Sequence, residues 1–100
     1  MNMNVSIDGS KALIVLEGKL TVQTSPDLNA AVDRLPAGVC DIDIDVAKVG
    51  YVASAGLRML VSADKLAVAR GGTMRLLHPV DEVVDVLEMT GLSESFVVVR

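Results

Sequence analysis

From Cys40 to Val46 the chain alternates without a break. Cys40, Ile42, Ile44 and Val46 take one parity, and Asp41, Asp43 and Asp45 take the other. A period of two fits a half-buried strand, because successive side chains leave a strand on opposite faces. A few residues later, Val49-Gly50-Tyr51-Val52 leads through the small residues Ala53, Ser54, Ala55 and Gly56 into a helix-like run. Leu57, Leu60, Val61, Ala67 and Val68 recur there at helical spacing, which puts them on one core face, and Gly71-Gly72 stops the run. A strand that feeds a helix and then another strand favours parallel pairing through right-handed crossovers.

The remaining segments fit the same plan. Residues 4–9 alternate, with Val5 and Ile7 on one face, and Asp8-Gly9 is a tight-hairpin signal before the apolar run Ala12 to Glu17. Thr24-Ser25-Pro26-Asp27 reads as a helix start with a capping hydroxyl, and Leu28, Ala31, Val32 and Leu35 form its apolar stripe up to Pro36-Ala37-Gly38. Thr73 to Leu77 is a further strand. A third helix opens at His78 to Glu82, carries Val80, Val83, Val84 and Leu87 inward and stops at Gly91; Ser95 to Val99 is a last strand. His78 reads as a local capping or loop residue. The order is ββαβαβαβ: one α/β domain over residues 1–100, with a mixed, mostly parallel sheet whose one antiparallel pair is the hairpin at Gly9. The aspartates of the 40–46 strand imply that one sheet face is less covered, with the helices mainly on the other.

Composition narrows the function. A hundred residues suit one domain, and 51% hydrophobic residues supply its core; with one Phe, one Tyr and no Trp that core must be aliphatic. A net charge of −4 argues against nucleic acid, which wants a basic face, and against attachment to anionic lipid. The single cysteine, Cys40, excludes an internal disulfide and reads as a small buried hydrophobe in a reducing compartment. Met1 to Ser10 shows no signal-peptide pattern, and no run approaches the roughly 18 apolar residues of a membrane helix. A cytoplasmic location is the expectation. Asp41, Asp43 and Asp45 lie at i, i+2 spacing, about 7 Å apart on a strand, which suits a solvated acidic face better than one cation; Arg75 on the next strand is placed to offset part of the charge. No metal or cofactor is expected.

Ser54 holds the position of a helix cap, where free N–H groups and the helix dipole also favour a phosphate. A nucleophilic serine needs a base, yet there is one histidine, no Gly-x-Ser-x-Gly elbow and no phosphate-binding Gly-rich loop with Lys and Ser/Thr. The chain is therefore read as a binding module, not an enzyme, with no catalytic residue. A second stripe on the same helix, Ala55, Met59 and Leu66, faces away from the assigned core. It fits either packing on a neighbouring helix or a partner surface. Asp64 falls on the assigned core face with no explanation in the sequence.

The run from Val49 through Ser54-Ala55-Gly56-Leu57 resembles the signature loop of the anti-sigma factor antagonists of the STAS-domain family. Gly18-Lys19-Leu20-Thr21 is similar to the family's Gly-x-Leu-Asp after the second strand. Gly71-Gly72 before a strand, and Thr90-Gly91-Leu92 after a Pro-led helix, extend the likeness over nearly the whole chain. The resemblance implies a partner switch. Unphosphorylated at Ser54, the protein binds an anti-sigma factor that is also a serine kinase and so releases its target. Phosphorylation of Ser54 breaks the complex, and a metal-dependent serine/threonine phosphatase restores it. Thr21, Thr24, Ala53, Ser54, Ala55, Gly56, Arg58, Met59, Ser62 and Leu66 are the partner-binding residues so implied. Ala53 stands where the family often has an acid, and Thr21 replaces its aspartate. The alternatives are an accessory subunit of a lipid-transporting ABC system, or a scaffold without phosphorylation; none needs nucleic acid or membrane insertion.

Overall fold

A computed structural model describes residues 1–100. The elements are β1 (Asn2–Asp8), β2 (Lys11–Leu20), α1 (Ser25–Asp33), β3 (Asp41–Val52), α2 (Ser54–Ala69), β4 (Met74–Leu77), α3 (Asp81–Met89), the single turn α4 (Leu92–Ser95) and β5 (Val97–Val99). The five strands form one sheet in the order β1-β2-β3-β4-β5. The β1–β2 hairpin is antiparallel; the other three pairings are parallel. Gly9 makes the hairpin turn at φ 61°, a conformation that costs glycine nothing.

One parity of the central strands builds the core. Ala12, Ile14 and Leu16 of β2 stand beside Ile42, Ile44 and Val46 of β3 and Met74 and Leu76 of β4, all buried. Leu28 and Val32 of α1, Leu60, Ala63 and Ala67 of α2, and Val83 and Leu87 of α3 close over them. The other parity carries Lys11, Leu13, Asp43, Arg75 and Leu77, and no helix covers it. Val5 and Ile7 share the helix side but lie out on the edge strand and are exposed.

Four details differ from the sequence reading. First, β3 does not stop at Val46. Its register against β2 slips twice, between Val15 and Glu17 and between Gly18 and Lys19, with β3 holding the extra residue each time. These bulges keep Val46, Val49 and Val52 inward at a spacing of three, which no simple alternation shows. Second, α1 ends at Asp33, so Leu35 fills the core from the loop. Third, His78 caps nothing. It sits at φ 56°, its N–H donates to the Val99 carbonyl at 2.6 Å, and α3 begins beyond Val80. Fourth, the chain makes α4 before a last strand of only three residues.

The aspartates are also not a uniformly solvated face. Asp43 is 3% exposed. Arg75 Nε donates to its Oδ1 at 2.8 Å, Arg75 Nη2 donates to Oδ2 at 2.6 Å, and Lys11 Nζ lies 3.0 Å from Oδ2. Register explains the meeting, since Arg75 and Leu13 are the direct cross-strand partners of Asp43. The hydrogen-bonded Arg75 guanidinium, helped by Lys11, holds the Asp43 carboxyl below its ordinary value against the opposing effect of burial. The same pairing raises Arg75. Asp45 instead accepts the Ala47 N–H at 2.9 Å, beside the first bulge.

Candidate functional site

The parallel strands β2 and β3 end side by side, with Leu20 opposite Val52. Ligand sites of open parallel sheets gather at such carboxyl ends. The chain leaves β2 through a tight turn: Thr24 and Ser25 N–H both donate to the Thr21 carbonyl, at 3.2 and 2.8 Å. Thr24 Oγ1 accepts from Thr21 N–H at 2.8 Å and donates to the Lys19 carbonyl at 2.7 Å. Thr24 therefore sits at the head of α1 without capping it. The Thr21 hydroxyl is likewise turned inward, toward Gln23 N–H and Thr24 Oγ1.

Beyond β3, Ala53 N–H donates to the Leu20 carbonyl at 2.8 Å, which ties the head of α2 to the end of β2. Gly56 makes this approach possible. A Cβ there would meet Leu20 Cγ at 2.7 Å. The expected Ser54 cap does not form: Ala53 holds the cap position, extended at φ −83°, ψ 171°, and Ser54 is the first helical residue. Its side chain is exposed and makes no hydrogen bond within the helix start. The first helical bond runs from Leu57 N–H to the Ala53 carbonyl at 3.0 Å. The N–H groups of Ser54, Ala55 and Gly56 precede it, so they are the orphan donors of the helix end.

The faces of α2 are rotated from the sequence assignment. Gly56, Met59, Leu60, Ala63 and Ala67 are buried. Met59, left open between helix packing and a partner surface, is 7% exposed and belongs to the core cluster, so the packing alternative holds for it and its proposed part in a partner surface does not; Val68, read as core, is 63% exposed. Leu57, Val61 and Leu66 pack at the margin, partly buried. The stripe Ala55, Arg58, Met59 and Ser62 faces α1 across a cleft of about 340 Å³, whose other wall is Ser25, Pro26 and Asn29. Four of the ten partner residues from the sequence thus meet in one place, with Met59 as the buried floor. Ser54, although it precedes Ala55 in the chain, is not part of its lining, and neither are Thr21, Thr24, Ala53, Gly56 and Leu66. The α1 wall was missed, because Ser25-Pro26 signalled only a helix start and nothing local says which helix faces it. Two exposed apolar side chains at the same end, Val22 and Tyr51, were missed as well.

No group of three or more His, Cys, Asp or Glu is placed to hold a metal ion. No helix is long and apolar enough to cross a membrane.

A five-stranded mixed sheet, covered by helices on one side and with a serine exposed at the head of the helix after β3, defines the class of fold. The chain belongs to the STAS-domain family: the family model described as Mlab, STAS domain, matches residues 3–100. It is 25% identical over 96 residues to the anti-sigma-B factor antagonist of Bacillus subtilis, covering 94% of this chain and 88% of that one. Its fold matches an anti-sigma factor antagonist from Mycobacterium paratuberculosis with a TM-score of 0.86 at 19% identity, over 99% of this chain and 85% of that chain. It also matches the anti-sigma factor antagonist SpoIIAA in its unphosphorylated form, with a TM-score of 0.77 at 15% identity over 99% of this chain and 88% of that chain.

Proposed function

We propose that this chain is an anti-sigma factor antagonist controlled by phosphorylation of Ser54, acting in the cytoplasm as a binding module without enzymatic activity of its own. Unmodified, it binds an anti-sigma factor that is also a serine kinase, through the surface around the head of α2, and so releases a target. The observation that carries this reading is the state of Ser54: exposed, unbonded, and set beside three N–H groups with no helical partner. A kinase reaches such a hydroxyl without unfolding the domain. The helix end then stabilises the added −1.5 to −2 charge, roughly, without rearrangement. A protein packed closely over Ser54 cannot accept that charge, and a hundredfold loss of affinity requires only about 2.7 kcal/mol. A metal-dependent serine/threonine phosphatase resets the switch.

The test is capture of partners from the native cytoplasm, followed by incubation with the captured kinase and ATP. One phosphate should appear, mapped to Ser54 by mass spectrometry. Ser54→Ala should remain unmodified yet bind the kinase, and Ser54→Asp should bind more weakly. Phosphate on Thr21, Thr24 or Ser62 instead, with Ser54→Asp binding like the parent, overturns the switch.

A second reading keeps the binding surface and removes the phosphate: an accessory subunit of a lipid-transporting ABC system. Ala53 and Thr21, standing where antagonists carry acids, favour it. Recovery of a permease and an ATPase in the same capture would decide for it.

A further inference from the structure

The two edges of the sheet are unequal. β5 presents only three residues, a length that discourages pairing with another strand. β1 presents seven, Asn2–Asp8, with no proline, no lysine and a register against β2 that runs without a bulge. Prolines, lysines, bulges and shortness are the usual ways of blunting an exposed edge, and β1 uses none of them. Only β2 makes substantial contact with β1, so no helix shields its outer side.

The hairpin fixes which backbone groups this edge presents. Gly9 and Ser10 form a two-residue turn, which makes Asp8 and Lys11 a hydrogen-bonded pair. The alternation of an antiparallel ladder then turns the backbone groups of Ser6, Asn4 and Asn2 toward β2 as well. The N–H and carbonyl groups of Met3, Val5 and Ile7 point outward, and none of them bonds to a turn, loop or cap. The same three residues carry the strand's apolar side chains on the helix side of the sheet. Met3 packs at the core margin, while Val5 and Ile7 are exposed. The even-numbered residues lie on the open face and include the strand's one charge, Asp8.

Such a strand is complementary to itself. Laid antiparallel about Val5, it sets Val5 opposite its own copy and Met3 opposite Ile7, so every outward-facing backbone pair meets another. The apolar side chains then face one another on one side, and Asn4 lies across from Ser6 on the other. Asp8 falls opposite Asn2, whose amide can donate to it, and the two Asp8 carboxylates stand at opposite ends of the ladder. Parallel pairing in register would put those carboxylates side by side. For a chain of net charge −4, an edge that brings no like charges together is what allows two copies to approach.

We propose that two copies of this chain join through β1, antiparallel and centred on Val5, so that their five-stranded sheets become one continuous sheet. Both helix layers lie on one side of it, and Val5 and Ile7 of each copy fill the gap between them. Ser54, beyond the end of β3, takes no part, so failure of this pairing leaves the partner switch untouched.

The experiment is sedimentation velocity of the full, unmodified chain over a range of concentrations. The mass should rise from the 10.5 kDa of one chain to twice that value. Val5→Pro should weaken the association about tenfold or more, because it removes the two central hydrogen bonds between copies, while an outward N–H is one the hairpin itself does not need. Val5→Lys and Val5→Glu each set like charges face to face and should be monomeric alone, yet their equimolar mixture should recover the dimer. Val5 is exposed, so all three variants should keep the parent's circular dichroism spectrum. Val97→Lys, on the other edge strand, should dimerise like the parent. A parent that stays monomeric at its highest soluble concentration leaves the edge to a strand of another protein and overturns the proposal. A dimer that survives both Val5→Pro and Val5→Lys, or a Lys and Glu mixture that stays monomeric, overturns it as well.

Discussion

Asp43→Asn isolates the one buried charge of the fold. The carboxylate accepts two hydrogen bonds from Arg75, at 2.8 and 2.6 Å, and pairs with Lys11 at 3.0 Å. The side chains of both cations are substantially exposed, 38% and 48%, so neither is stranded in a dry interior when the charge is removed. The full cost of breaking a buried pair, about 3–5 kcal/mol, therefore does not apply. Losing charged hydrogen bonds worth about 1.5–3 kcal/mol each, while the amide oxygen keeps one acceptor, gives an expected loss of about 2 kcal/mol at neutral pH. The pH dependence follows from the sign of the shift. Arg75 and Lys11 depress the folded-state value below that of the unfolded chain. The ionised aspartate thus stabilises the fold above the ordinary carboxylate range, and that contribution disappears as pH falls through the depressed value. Urea titrations of parent and variant should show the gap in full at pH 7 and a smaller gap at pH 2. A gap of equal size at both pH values would mean that shape, and not charge, is what Asp43 contributes. No gap at pH 7 would refute the network altogether.

Gly72→Ala should destabilise strongly, by about 2–3 kcal/mol or more, because a Cβ at that position overlaps the Cys40 carbonyl and backbone does not move aside cheaply; a denaturant midpoint like the parent's would refute that packing. Met59→Lys should cost about 2–4 kcal/mol in thermal or urea unfolding, since it places an ammonium among core side chains, and an unchanged melting curve would return Met59 to the surface. Ser54→Ala and Ser54→Asp should both stay folded within about 0.5 kcal/mol by the same measurement, because Ser54 is exposed and caps nothing; a larger loss would show a structural role that the exposed hydroxyl does not suggest.

What the sequence conveyed and what it withheld separate along physical lines. The strands at Asp41–Val46 and Met74–Leu77, and the hairpin at Gly9, were legible because alternation and a turn dipeptide are local signals. So was the inward stripe of α3, where Val83, Val84 and Leu87 are large and apolar. The faces of α2 were misread because hydrophobicity was weighed and size was not. Gly56 and Ala63 carry little hydrophobic signal and were left off the assigned face, yet both are buried against the core, while Leu60 and Ala67 were assigned correctly. Leu20 fills the place that a side chain on Gly56 would need. The burial of Asp43 depends on register with Arg75, and the cleft depends on α1 meeting α2. Both are properties of pairings between distant segments, which no window of the chain contains. The serine at the junction was placed correctly by its neighbours, but its capping role went to Ala53, since the bulged end of β3 carries the strand right up to the helix.

The strands stand in the sheet in the order in which they occur in the chain. No strand has to be threaded between two neighbours that have already joined. As the polypeptide leaves the ribosome, the hairpin of β1 and β2 can offer the outer edge of β2. β3 can add to that edge, then β4, then β5, each after its crossover helix has emerged. This order permits vectorial assembly, in which every step extends a surface already in place and none requires an earlier pairing to open. The short strand β5 is the final addition and completes a sheet whose central pairings precede it in the chain.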